Sequence, residues 1–185
     1  MKGNIVFMIS GKAGSGKGAV GNALEQELMK DGYPVLRIAF ADMVKACATK
    51  YYDWDGSKDE AGRSLLQTLA TDKVRAMFPN FWAEFVAKFI AATRKDWVYI
   101  IIDDWRFVNE FDVINDYNSD VITIRVERYN EDGSEYINSN MTDAQRAHQS
   151  EIELDKFPFD YVIENRGSLE DLEDNVLTLL EDLNN

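Results

Sequence analysis

The chain has 185 residues, of which 45% are hydrophobic and 29% are charged, and its formal net charge is −13. This composition predicts one folded domain with a sizeable core and excludes a disordered or fibrous chain. The negative charge argues against a general binder of nucleic acids or anionic membranes, because both need a basic surface. Residues 127–185 carry 16 acidic and 4 basic side chains, whereas residues 1–126 carry 17 and 16. Chemistry on anions is therefore expected in the first two thirds of the chain.

The cysteine content and the lengths of the apolar segments indicate the cellular compartment of the protein. A single cysteine, Cys47, excludes an internal disulfide and is typical of a reducing environment. The N-terminal residues show no cleavable signal pattern, and the most apolar run, Trp97–Ile102, is too short to cross a bilayer. We expect a cytoplasmic protein that contacts no membrane.

Five segments with the composition of strands alternate with helical patterns. The predicted strands are Asn4–Ser10, Val35–Phe40, Trp97–Ile102, Val121–Val126 and Tyr161–Glu164. The predicted helices are Gly18–Lys30, Asp59–Met77, Phe81–Arg94, Asn109–Tyr117 and Leu169–Leu183, the last capped by Ser168. This alternation predicts an α/β fold with a five-stranded parallel sheet, as one domain over residues 1–185. The polar region 127–149 is long for a loop, which predicts a functional lid or else a disordered excursion.

A glycine-rich motif follows the first predicted strand. The run Gly11-Lys12-Ala13-Gly14-Ser15-Gly16-Lys17-Gly18 fits the G-x-x-x-x-G-K pattern of a P-loop. In such a loop the backbone N–H groups converge on the β-phosphate, and the lysine bridges the β- and γ-phosphates. A glycine-rich turn with a chance lysine is the alternative, and the order of strand, loop and helix argues against it. We therefore predict a P-loop NTPase fold in which one set of residues holds the phosphates of a nucleotide: Gly11, Ala13, Gly14, Ser15, Gly16, Lys17, Gly18 and Ala19.

The motif departs from the common pattern directly after Lys17. Ser or Thr normally supplies a hydroxyl to Mg²⁺ at that position, where this chain has Gly18. A Mg²⁺ ion then has to be held by water, by the phosphates of the nucleotide and by an acid elsewhere. Asp103 or Asp104, after the third predicted strand, suits this role, with Asp104 acting through water; an acidic strand-end cap is the alternative. Ser15 is a further possible ligand within the loop.

A P-loop alone permits a GTPase, an ATPase or a kinase. The chain has no Asn-Lys-x-Asp guanine motif, which argues against a GTPase. The helical insertion over residues 41–96, between the second and third predicted strands, is where small-molecule kinases place the phosphate acceptor. Arg63 and Gln67 lie one helical turn apart there, and an arginine fork suits a monophosphate. Taken alone, Arg63 is better explained as an exposed surface side chain.

Several short motifs follow one another along nearly the whole chain. They are Phe40-Ala-Asp42-Met-Val-Lys45, Arg63-Ser-Leu-Leu-Gln67-Thr-Leu-Ala-Thr71-Asp72, Trp82, Asp104-Trp-Arg106-Phe107-Val-Asn109-Glu110, His148-Gln-Ser150-Glu151 and Asn165-Arg-Gly167-Ser168-Leu169. Taken together and in this order, they resemble the motifs of the phage-type deoxynucleoside monophosphate kinases. The resemblance implies an NMP-kinase-like fold and transfer of the ATP γ-phosphate, with Mg²⁺, to a deoxynucleoside 5′-monophosphate. Both substrates are small molecules, and a homodimer is possible.

The resemblance also implies a role for each matching residue. Lys45 and Arg63 bind the acceptor phosphate, beside a positioning Asp42. Gln67, Thr71 and Trp82 line the base pocket, Glu110 contacts the acceptor nucleoside, and Arg106 bridges the donor and acceptor phosphates. Arg128 closes from the lid over the transferring phosphoryl group, Arg146 and His148 lie at the lid's return, and Asn165 and Gly167 belong to the loop around adenine. Taken alone, Trp82 and His148 are also explained as structural residues.

The chain departs from the family at Gly18, at Ala70, where Gly is common, and at Val108, where Pro is common. Two other functions therefore stay open. One is a related P-loop kinase acting on phosphomevalonate or dephospho-coenzyme A, although no added basic cluster for coenzyme A is present. The other is a nucleotide-binding relic without catalysis.

Overall fold

The fold is built on a parallel sheet in a computed structural model that describes residues 4–57, 59–118 and 120–184. Its strands are β1 (Ile5–Ser10), β2 (Val35–Ile38), β3 (Tyr99–Ile102), β4 (Asp120–Arg128) and β5 (Tyr161–Asn165), in the order β2-β3-β1-β4-β5. β1 pairs with β3 and with β4, so the loop after β1 leaves from the middle of the sheet. The expected five-stranded parallel sheet is confirmed.

Helices cover both faces of this sheet. The helices of the described residues are α1 (Lys17–Lys30), α2 (Ala41–Tyr51), α3 (Glu60–Gln67), α4 (Phe81–Thr93), α5 (Val108–Tyr117), α6 (Asp143–Arg146), α7 (Gln149–Ile152) and α8 (Leu169–Asn184), and four of them, α1, α4, α5 and α8, cover the sheet. On one face, Met8, Ile100 and Ile102 pack against α4 and α5. On the other face, Phe7, Ile9 and Ile124 pack against α1 and α8. The near-continuous apolar strands reflect this burial from both sides.

Among its described residues, the insertion between β2 and β3 contains α2, α3, a π-helical segment and α4. The expected helix Asp59–Met77 is wrong in its regularity, because α3 gives way to a π-helical segment, Thr68–Arg75. Only two residues separate β2 from α2, because Asp104 accepts the backbone N–H groups of Phe40 and Ala41. β2 therefore ends earlier than the expected Phe40. Val44, Ala48, Leu69 and Trp82 form a separate small core beneath these helices.

The polar region after β4 is folded against the P-loop. Tyr129 and Glu135 form an antiparallel bridge, and two short helices, α6 and α7, complete the segment. Lys12 pairs with Glu135 at 3.1 Å, and the Asn138 side chain donates to the carbonyl of Ala13 at 3.3 Å. The disordered alternative is therefore wrong for this region. Its closure as a lid stays a prediction.

Candidate active site

The P-loop connects β1 to α1, and its shape requires glycine at two positions of close approach. Gly16 has a φ of 108°, and a β-carbon there would lie 2.6 Å from Nδ2 of Asn165. Gly11 has a φ of 153°, and a β-carbon there would lie 2.4 Å from the carbonyl oxygen of Val126. A side chain at either position would push the loop away from the ends of β4 and β5.

Lys17 opens α1 and turns its amine back onto the loop. Its Nζ donates to the carbonyl oxygens of Gly11, at 2.7 Å, and Lys12, at 3.0 Å. Burial of the ammonium, assisted by the positive charge of Arg106, lowers the pKa of Lys17 to about 7. An anion bound beside this amine would favour its charged form and raise that pKa.

Arg106 follows β3 and reaches the P-loop from the side of the helical insertion. Its Nη1 donates to Oε1 of Glu151 at 2.6 Å and to the carbonyl oxygen of Gly11 at 3.4 Å. Glu151, on α7, uses its other oxygen to accept the backbone N–H of Ala13 at 2.8 Å. The P-loop, the loop after β3 and the segment after β4 therefore meet at one carboxylate.

A cavity of about 350 Å³ opens between this meeting point and the helical insertion. Eight of the residues considered from the sequence line it: Arg63, Gln67, Thr71, Trp82, Asp104, Arg106, Glu110 and His148. Phe40, Val44, Leu66 and Phe107 add apolar wall. An apolar cavity of this size with a few converging polar groups suits a ligand of nucleoside dimensions.

Glu110 and Arg75 form a buried pair in the wall of this cavity. Arg75 Nη2 donates to Glu110 Oε1 at 2.6 Å, and the guanidinium lies 3.9 Å from the ring centre of Phe107. Glu110 Oε2 accepts the backbone N–H groups of Arg106, at 2.9 Å, and Phe107, at 3.0 Å. Burial raises the pKa of Glu110 to about 7, against the opposing effect of Arg75. Glu110 thus anchors the loop that carries Arg106, whereas sequence reasoning gave it only a contact with the nucleoside.

The other residues predicted for the acceptor side lie either in the small core or at the surface. Trp82 is buried in the small core, and its Nε1 donates to the carbonyl of Ala70 at 3.1 Å. Asp42 and Lys45 lie on α2 and form an ion pair at 3.1 Å. Neither of these two side chains lines the cavity. Arg63 is exposed at the cavity's edge.

At the ends of β4 and β5, two side chains contact the P-loop backbone. Arg128 donates to the carbonyl of Gly14 at 3.1 Å and stacks over Tyr136, 4.1 Å from the ring centre. Asn165 donates to the carbonyl of Ser15 at 2.9 Å. A second cavity, of about 220 Å³, lies here beside Lys12, Arg125, Arg128 and Tyr129. The exposed Gly167 follows β5.

Three further predictions concern capping residues and the lid's return. Ser168 accepts the backbone N–H of Asp171 at 3.0 Å, as expected of the residue that caps α8. His148 caps α7 by accepting the N–H of Ser150 through Nδ1 at 3.3 Å. Arg146 binds the carbonyls of Asn138 and Met141 and so holds the turn before α6.

The side chains considered for Mg²⁺ do not form a site that coordinates a metal directly. Both oxygens of Asp104 accept backbone N–H groups, each at 2.9 Å, and burial raises the pKa of this acid. Asp103 pairs with Arg37 at 2.5 Å. Gly18, where other P-loops have Ser or Thr, also lies beside Arg37: a β-carbon at Gly18 would be 3.9 Å from Nη2 of this arginine. The Ser15 hydroxyl is buried and has no hydrogen-bond partner among the described residues. Within the part of the chain that the structure describes, no three His, Cys, Asp or Glu side chains cluster to hold a metal.

Sequence reasoning missed Arg75, Arg125 and the contact made by Glu151. Arg75 is one of several basic residues on a helical pattern, and only the π-helical turn and the partner Glu110 distinguish it. Arg125 is buried on β4 and pairs with Asp155 at 2.8 Å, although the apolar strand pattern gave no sign of this. Glu151 belongs to one of the quoted motifs, but its contact with the P-loop depends on how residues 129–152 fold.

The parallel sheet, the central P-loop and the adjoining cavity define a P-loop kinase fold. The family model described as deoxynucleotide monophosphate kinase matches residues 42–176, and the chain belongs to this family. It is therefore a phosphotransferase of the nucleotide monophosphate kinase class. No curated protein matches the chain in sequence. None of the helices among the described residues combines the length and apolar character needed to span a membrane.

Solved structures share the fold at low sequence identity. Mycobacterium tuberculosis APS kinase CysC, in complex with AMPPNP and APS, is 12% identical with a TM-score of 0.55, covering 98% of this chain and 99% of that one. A sugar kinase from Janibacter is 18% identical with a TM-score of 0.54, covering 96% and 95%. These similarities establish the architecture alone.

Proposed function

We propose that the protein transfers the γ-phosphate of ATP to a deoxynucleoside 5′-monophosphate, forming ADP and a deoxynucleoside diphosphate. The observation that carries this proposal is the position of Arg106. Its guanidinium contacts the P-loop carbonyl of Gly11, and the same side chain lines the apolar cavity beneath the helical insertion. One cation thus adjoins both the predicted donor site and the predicted acceptor site.

On the donor side, the P-loop residues Gly11, Ala13, Gly14, Ser15, Gly16, Lys17, Gly18 and Ala19 hold the phosphates of ATP. The buried amine of Lys17 leaves its carbonyl partners and bridges the β- and γ-phosphates. Arg128, at the end of β4, closes over the transferring group. Arg128 and Asn165 already contact the P-loop backbone, at the carbonyls of Gly14 and Ser15. Asn165 and Gly167 flank the adenine.

On the acceptor side, Arg63 holds the monophosphate at the edge of the cavity, and Lys45 adds a second cation after leaving Asp42. Gln67 and Thr71 contact the base, and Trp82 stacks on it from the small core. Glu110 contributes the wall, because its carboxylate is already bonded to the loop of Arg106. Asp42 positions the acceptor rather than acting as a strong base, since a phosphate oxygen is already a nucleophile.

In the transfer itself, an oxygen of the acceptor phosphate forms the new bond to the γ-phosphorus. The bond from that phosphorus to the β–γ bridging oxygen breaks, and its electron pair leaves with ADP. Lys17 and Arg106 neutralise the charge that spreads over the phosphoryl oxygens. A Mg²⁺ ion that came with the nucleotide would neutralise further charge. Asp104, whose two oxygens already accept the N–H groups of Phe40 and Ala41, would reach such an ion only through water.

The proposal is tested by measuring ADP release from ATP with dAMP, dGMP, dCMP or dTMP as acceptor. We expect turnover with at least one of the four and none with dephospho-coenzyme A or phosphomevalonate. Lys17→Ala is expected to abolish turnover with the accepted deoxynucleotide, and Arg63→Ala is expected to raise the KM for this acceptor. Arg94→Ala, which removes an exposed arginine outside the cavity-lining set, is the matched control and keeps wild-type rates. Binding of ATP without turnover on any acceptor would contradict the proposal and favour the relic.

A further inference from the structure

Glu151 brings a carboxylate into the P-loop from outside the loop. One oxygen accepts the backbone N–H of Ala13 at 2.8 Å, and the other accepts from Arg106 at 2.6 Å. The side chain is only 10% exposed. A buried carboxylate is stable only where donors and cations offset the loss of water, and here both are supplied by groups of the predicted transfer site.

These donors are of the kind that a phosphoryl group requires. P-loop N–H groups bind phosphate oxygens, and an arginine fork binds phosphate and carboxylate through the same planar geometry. The Lys17 amine is close enough for the Glu151 charge to act on it. The carboxylate of Glu151 is therefore held by an arrangement that recognises an oxyanion.

We propose that Glu151 occupies the place of the transferring phosphoryl group, and that the γ-phosphate of ATP displaces it on binding. This inference rests on the proposed function only in identifying the anion as the γ-phosphate of ATP. The Ala13 N–H and the Arg106 guanidinium cannot serve both anions in full, so the two compete.

The position of Glu151 in the chain makes this exchange possible. It lies on α7, a four-residue helix that follows the short α6 within the segment folded over the P-loop. The neighbouring Glu153 instead accepts the N–H of Val108 at 2.9 Å and the side-chain amide of Gln149. Glu151 can thus withdraw from the P-loop while Glu153 keeps α7 attached to the start of α5.

Because of this competition, Glu151 in the wild type weakens the binding of ATP. Glu151→Gln keeps the size of the side chain and an acceptor oxygen but removes the charge that pairs with Arg106. Because charge-assisted hydrogen bonds are about twice as strong as neutral ones, we expect a non-hydrolysable ATP analogue to bind about tenfold more tightly. ADP, which lacks the γ-phosphate, should gain less than about threefold.

The experiment is a calorimetric titration of the wild type, Glu151→Gln, Glu151→Ala and the control Glu153→Gln with the ATP analogue and with ADP. Glu153→Gln removes the same charge two residues away and should bind both ligands like the wild type. Melting curves by circular dichroism verify that each variant is folded; if Glu151→Gln is not, Glu151→Ala decides. Unchanged or weaker binding of the ATP analogue would overturn the inference, as would an equal gain for ADP or no binding by any folded form.

The outcome is separable from that of the proposed function. A variant that binds the ATP analogue more tightly, in a protein that phosphorylates no deoxynucleotide, supports the inference and contradicts the acceptor assignment. If the wild type phosphorylates a deoxynucleotide but Glu151→Gln shows no selective gain for the ATP analogue, the inference is overturned and the proposed function is supported.

Discussion

Nucleotide binding at pH 8.5 is expected to draw a proton onto Lys17. In the free protein, burial and Arg106 lower the pKa of this amine to about 7, so it carries a proton in only about 3% of molecules at pH 8.5. Phosphates that replace the carbonyl oxygens of Gly11 and Lys12 favour the charged amine and return the pKa toward 10.5. That shift corresponds to about 5 kcal/mol between the two protonation states, and uptake should approach one proton for each ADP bound.

The uptake is measured by titrating ADP calorimetrically at pH 8.5 in two buffers of different ionisation enthalpy. At this pH the ADP phosphates are already deprotonated, so the ligand contributes no proton of its own. Lys17→Met should abolish the dependence on buffer, whereas Lys12→Met, which removes an exposed amine of the same loop, should preserve it. ADP binding by the wild type with no proton uptake would refute the account of Lys17.

Three further changes test the glycine, capping and ion-pair arguments. Gly16→Ala should abolish ADP binding in a titration, because a φ of 108° strains any residue with a β-carbon and that carbon would displace the Asn165 amide from the loop. Gly32→Ala, at a φ of 83° in open space, should keep binding and cost about 1–2 kcal/mol in urea unfolding. Asp104→Ala should lower the free energy of unfolding in urea by about 1–2 kcal/mol, because α2 loses its cap. Arg75→Met should cost about 3–5 kcal/mol at pH 8, because the buried Glu110 loses its cation and must either stay charged without it or take up a proton above its pKa of about 7. The loss should be smaller at pH 5, where Glu110 is protonated with or without Arg75; an equal loss at both pH values would contradict the pairing.

The sheet and the P-loop could be predicted because their signals are local. Val6 to Ile9 and Ile100 to Ile102 form short apolar runs rich in β-branched residues, as is typical of strands covered on both faces. The glycines after Ser10 have the spacing of a P-loop. The strand ends were less predictable, because β2 ends where Asp104, from another part of the chain, caps α2.

The remaining features depend on contacts between distant segments. The π-helical turn that carries Arg75 has no residue pattern that separates it from an α-helix, and Glu110 completes the pair from 35 residues away. Glu151 meets Ala13 across 138 residues. Periodicity identifies a helix face but not its partner, so these residues could be found only once the fold brought them together.

The charge distribution now has a structural explanation. Most of the net charge of −13 comes from residues 127–185, whereas Lys17, Arg63, Arg75 and Arg106 lie at or beside the cavity. The acidic region also supplies Glu151, which balances Arg106 in this structure. We therefore expect close contacts, rather than long-range attraction, to provide most of the nucleotide affinity.

The most direct test of the central claim is the turnover of Arg106→Ala with ATP and the accepted deoxynucleotide. If Arg106 joins the two sites at the transferring phosphoryl group, kcat should fall by about a thousandfold, while the affinities measured for ADP and for the deoxynucleotide alone should fall much less. A variant that keeps near-wild-type kcat would contradict the account, because no other described side chain both contacts the P-loop carbonyl of Gly11 and lines the acceptor cavity.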